Sequence, residues 1–146
     1  MEFVTQTQWG SMVRSLLRAA SLTGYLLIFS FAPPSMASEA QELVNVGFVL
    51  YTKSDVPGTL KARWNYANAY SGPGEATGGP LEGFAGRYHV RYFFENGEFS
   101  DEYDLIIEKT EDFYDVAWIV AGKVGARGVG MEVENGLAVG WTKVSN

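Results

Sequence analysis

Between residues 84 and 141 one phrase recurs four times with variation: Tyr88-x-Val90-x-Tyr92, Tyr103-x-Leu105-x-Ile107, Tyr114-x-Val116-x-Trp118 and Leu137-x-Val139-x-Trp141. Each is apolar at every second position, the period of a strand with one buried face. Glu95-Asn96-Gly97, Thr110-Glu111-Asp112, Ala121-Gly122 and Glu134-Asn135-Gly136 separate the phrases and supply hairpin turns. The pattern demands an antiparallel sheet with its aromatic residues facing inward.

The same reading extends upstream. Residues 45–52 form a first strand, with Phe48 and Leu50 on one face, and 54–58 form a turn in which Pro57 and Gly58 preset the backbone. Residues 59–66 form a second strand, with Leu60, Ala62, Trp64 and Tyr66 on one face and Lys61, Arg63 and Asn65 on the other. Residues 67–83 are rich in glycine and carry Pro73 and Pro80, so they read as a mobile flap with at most a short strand near Ala76. Further strands fall at 84–94, 99–109, 113–120, 123–133 and 137–144.

Seven or eight strands joined mostly by hairpins make an antiparallel meander, and the fold class is all-β. Gly125, Gly128 and Gly130 inside one strand permit the coiling that closure needs. Closure also removes exposed edges, so a small closed or nearly closed barrel is expected, with a β-sandwich as the alternative.

The N-terminus follows a different logic. Arg14 and Arg18 precede an apolar run over 19–32, and Ser35-Met36-Ala37 then offers small residues at a signal-peptidase site. Residues 1–37 therefore read as a signal peptide cleaved before Ser38, 38–44 as a polar lead, and 45–146 as a single barrel domain. The expected destination is periplasmic or extracellular, with no membrane association after cleavage. Residues 1–11 lack a basic residue, and a start at Met12 gives a more ordinary opening to such a segment.

Composition narrows the chemistry. The formal net charge is −6, and the part beyond residue 37 is one unit more negative, because the leader holds Glu2, Arg14 and Arg18. An acidic protein repels phosphate backbones, which argues against nucleic acid as a partner. There is no cysteine, which excludes disulfides, thiolate catalysis, cysteine-zinc sites and a lipidated N-terminal cysteine. With one histidine besides, a transition metal lacks its usual ligands, and no metal or cofactor is expected.

The closing segment, Gly128-Val129-Gly130-Met131 followed by Asn135-Gly136-Leu137-Ala138-Val139-Gly140-Trp141, resembles a motif of small bacterial domains of unknown function. Those domains resemble calycin-like barrels, the group of lipocalins and avidins, and the small barrel of the GrlR type of secretion regulator. The resemblance covers about residues 45–143 and implies a fold, not a ligand. The Gly-x-Trp of lipocalins is absent, since Phe48 and Val49 follow Gly47.

Catalysis has little to stand on. His89 lies in the strand phase opposite Tyr88, Val90 and Tyr92, beside Arg87 and Arg91, so it faces solvent, and no serine occupies a nucleophile elbow. Gly128-Val129-Gly130 has strand-like flanks and no following helix, which rules against a dinucleotide loop. The acidic run from Glu95 to Asp115 reads as a solvated outer face, with Asp104 and Asp115 on one side of it. Paired catalytic carboxylates or calcium would require convergence that spacing alone does not establish.

The aromatic residues carry the functional expectation. Trp64, Tyr66, Tyr88, Tyr92, Tyr103, Tyr114, Trp118 and Trp141 share the inward phase, as does Phe94, and are candidate lining of a cavity for a small apolar or aromatic ligand. The alternative is a filled core, the chain then acting as a protein-interaction module, a regulator or inhibitor, through its acidic outer face. Either way the expectation is an exported, non-catalytic protein.

Overall fold

The computed structural model describes residues 42–145. The signal segment expected over residues 1–37 and its cleavage point lie outside the described residues.

Eight strands follow one another: β1 (Gly47–Lys53), β2 (Leu60–Tyr66), β3 (Tyr70–Thr77), β4 (Gly86–Phe93), β5 (Phe99–Thr110), β6 (Phe113–Val120), β7 (Lys123–Val133) and β8 (Gly136–Lys143). Each pairs antiparallel with the next, and β8 returns to β1, so the sheet closes into a barrel in sequence order. The four recurring phrases all point inward. Val90, Leu105, Ile107, Val116, Leu137 and Val139 are buried, as are Tyr88, Tyr92, Tyr114 and Trp118. As architecture this agrees with a calycin-like barrel.

One expectation needs correction. Residues 70–77 are a full strand, not a flap, and the longest irregular stretch shrinks to residues 78–85. Glycine and proline disguised β3, yet the barrel requires small residues there. A side chain at Gly72 would collide with the Phe93 carbonyl, and one at Gly74 with the Tyr92 ring. On β1, Phe48 and Leu50 share one face as expected, and it is the outer one, while Val49 and Tyr51 enter the core. The phase is set by Gly47, whose missing side chain leaves room for the Trp141 indole packed against it.

The seam between β3 and β4 is short. Their register runs over Gly74–Thr77 on β3 and stops there. Beyond it, Pro73 has no N–H to offer. The Trp64 indole N–H bridges the gap, donating to the Pro73 carbonyl (3.2 Å) and the Phe93 carbonyl (3.1 Å). On the outside, Glu95 accepts from Ser71 Oγ (2.7 Å) and pairs with Arg63 (2.6 Å), tying the β4–β5 turn to β3 and β2.

The two ends of the barrel differ. At one, residues 78–85 hold to the rim through the Gly79 N–H to the Gly58 carbonyl (3.0 Å) and the Tyr88 hydroxyl to the Phe84 carbonyl (2.9 Å). Leu60, Ile107 and Leu137, together with the Tyr88 and Tyr114 rings, fill the interior behind this cover. The β2–β3, β4–β5 and β6–β7 turns mark the other end, around a hollow. In the last of these, Ala121 and Gly122 both take positive φ (50° and 74°), the form of a two-residue hairpin turn that follows the twist of its strands.

Candidate functional site

The hollow end encloses a cavity of about 390 Å³, partly open to solvent. That is well above the roughly 30 Å³ occupied by one liquid water and within the roughly 300–1,000 Å³ range of small-molecule sites. An eight-stranded barrel is about wide enough either to be filled by side chains or to hold one small ligand. Here it does the first at one end and the second at the other.

Aromatic rings make the wall. Trp64 and Tyr66 enter from β2, Tyr92 from β4, Tyr103 from β5, Trp118 from β6 and Trp141 from β8. Trp141 stacks on Tyr66 with ring centres 5.2 Å apart and planes at 15°, and meets Trp118 at 6.0 Å. Tyr92 stands edge-on to Trp64 at 6.2 Å and tilted to Tyr103 at 6.3 Å. Such edge and offset arrangements fix the rings against one another and leave flat apolar faces toward the space.

Of the eight aromatic residues expected to line a cavity, these six come together. Tyr88 and Tyr114 do not line it. Both point inward, but near the covered end, where Tyr88 bonds the Phe84 carbonyl and the Tyr114 hydroxyl donates to Glu132. Strand alternation sorts residues by face and carries no information about height along the barrel axis.

The sequence reading missed several contributors. Val49 lies on β1, where alternation left open which face turns inward. Tyr70 begins β3, the strand read as a flap, while Phe94, just after β4, joins the lining from the inward phase it was given. Ser100, Asp101 and Lys143 supply polar groups to the lining, and Gly125 and Ala126 leave it room. The Lys143 ammonium lies 4.4 Å from the centre of the Tyr66 ring, and Lys143 makes no ion pair among the described residues. Its backbone is fixed by the Asn45 side chain, which accepts from the Lys143 N–H (2.8 Å) and donates to its carbonyl (3.1 Å).

At the inner limit of the cavity lies a buried polar cluster. The Trp118 indole N–H donates to the Tyr92 hydroxyl at 2.8 Å, and the Tyr92 and Tyr51 hydroxyls lie 2.5 Å apart. Burial pushes both phenols well above their ordinary range, so both keep their protons. Tyr103 shifts the same way, through burial first and the nearby Asp101 charge second. Among the described residues no lysine or arginine lines this inner region, and Lys143 is the one cation in the lining.

Outside the barrel, His89 is about half exposed and sits between Glu102 (3.3 Å) and Asp104 (3.6 Å), with Arg91 also near Glu102 (3.7 Å). Part of the acidic face is thus met by His89 and Arg91 of β4. Among the described residues no three His, Asp or Glu side chains converge as metal ligands do. Comparison with family models, with curated proteins and with solved structures gave no match.

Proposed function

We propose that this chain is an exported, non-catalytic binding protein that holds one small apolar or aromatic molecule inside its barrel, and that it is kin to calycin-like proteins. One observation carries the binding reading: a ligand-sized cavity at one end of a closed barrel, walled by eight aromatic rings, seven of them from six strands and Phe94 from just beyond β4. Apolar ring faces gain by excluding water from a flat ligand, and the few polar groups orient it. Export rests on the order of residues in the N-terminal segment alone.

Native mass spectrometry of the protein purified from its own host tests the reading. The expected result is a small-molecule adduct that leaves on denaturation, with tryptophan fluorescence responding when the emptied protein takes up aromatic compounds. An apo mass at gentle settings together with silent fluorescence would sink it.

A second reading, a protein-interaction module, draws on the outer surface. Phe48 and Val129 are exposed on either side of Gly140, and Met131 lies one strand from Leu50 across Ala138. This apolar row lies away from the acidic residues around His89. A partner bound by the acidic face would dissociate with added salt, whereas one on the apolar row would not.

A further inference from the structure

The polar cluster at the inner limit of the cavity holds more hydrogens than it can use. Tyr51, Tyr92 and Trp118 bring three donor hydrogens, one each, and the cluster contains two hydrogen bonds. One O–H, on Tyr51 or on Tyr92, is left over. If Tyr92 donated to Tyr51, the spare hydrogen would be on Tyr51. That residue is fully buried, lies outside the cavity lining and has no other hydrogen-bond partner among the described residues. A donor sealed away there costs free energy with nothing to offset it. The favourable arrangement has Tyr51 and Trp118 both donating to the Tyr92 oxygen, and it leaves the Tyr92 O–H facing the cavity that Tyr92 lines.

We propose that the cavity selects a neutral aromatic molecule carrying an acceptor oxygen, a carbonyl or an ether, at its inner end, where it accepts the hydrogen of Tyr92. This rests on the reading of the cavity as a ligand site. A ligand N–H finds no welcome at the same spot, because both lone pairs of the Tyr92 oxygen are already engaged by Tyr51 and Trp118. A carboxylate is rejected too. It would lose its hydration where no cation answers it, since Lys143 belongs with Tyr66 and the strand ends.

Three flat tricyclic compounds of one shape separate these cases: 9-fluorenone offers an acceptor oxygen, carbazole an N–H donor, and fluorene neither. Titration of the intact protein should give fluorenone about three- to tenfold tighter binding than fluorene, the scale of one net hydrogen bond. Carbazole should bind no better than fluorene. Tyr92→Phe should level the three, and Tyr51→Phe should keep the order, because Tyr92 still has its hydrogen to give. Should Tyr92→Phe fail to fold, the infrared carbonyl stretch of fluorenone answers independently. Bound to the wild type and to Tyr51→Phe, it should lie below its position in an alkane. Equal binding of fluorenone and fluorene, a preference for carbazole, or an unshifted carbonyl stretch overturns the inference and leaves the cavity reading standing. No binding by any of the three overturns both.

Discussion

Tyr92 is a residue on which two other buried groups depend. Its hydroxyl serves the Trp118 N–H and the Tyr51 O–H together. Removing one partner of a buried hydrogen bond costs most when it strands a donor. Tyr51→Phe deletes a donor and strands nothing, so it should lower stability by about 1 kcal/mol. Tyr92→Phe strands two donors at roughly 1–3 kcal/mol each, and should cost at least twice as much. Urea denaturation of the two variants checks the order, and the reverse order would mean that Tyr92 is not the shared acceptor. None of this was legible in the sequence. Tyr92 and Trp118 were recognisable as inward, but alternation in β1 left open which face turns in, that of Phe48 and Leu50 or that of Val49 and Tyr51. The phase depends on Gly47 yielding space to Trp141, more than ninety residues away.

Among the elements, β3 is the instructive one. Ser71-Gly72-Pro73-Gly74 has the composition of a loop and the position of a strand. Its glycines are the imprint of neighbours, the Phe93 backbone and the Tyr92 ring, and a single sequence read locally cannot register bulk supplied from elsewhere. The hairpins after β4 and β6, by contrast, were plain, because Asn96-Gly97 and Ala121-Gly122 carry their turn chemistry locally. The short β3–β4 seam has a pH-sensitive tie. Hydrogen bonds from Arg63 first, and from Ser71 next, hold the Glu95 carboxyl below the usual carboxylate range. A depressed acid contributes stability above its unfolded pKa of about 4.3 and loses it as pH falls through the folded value. Amide protection along Tyr70, Ser71 and Gly72 should therefore drop below about pH 4. Glu95→Gln should show the lowered protection already at neutral pH. Hydrogen exchange with mass spectrometry reads both, and an unchanged protection pattern would remove Glu95 from the seam.

Over the whole molecule, alternation foretold an all-β closed meander but not where its interior is filled. Covered and hollow ends arise from side chains of the same inward phase, and both carry rings: Tyr88 and Tyr114 pack at the covered end, whereas Gly125 and Ala126 leave room at the hollow one. Closure itself rests on β1 meeting β8 over Gly47–Tyr51, extended by the Asn45 side chain on the Lys143 backbone. Asn45 also sits at φ 50°, a conformation that alanine adopts less readily. Asn45→Ala should cost about 1 kcal/mol in thermal or urea denaturation and weaken ligand binding by freeing Lys143. Unchanged values for both would show that the barrel closes without this tie. Closure by the first and last strands also sets the order of events when the chain is made. Each hairpin can form as its own residues emerge, whereas the joint between β1 and β8 waits for residues 136–143. Until then the nascent sheet has two bare edges and an uncovered row of rings, and a ribosome stalled before Gly136 holds a sheet ready to pair with its neighbour's.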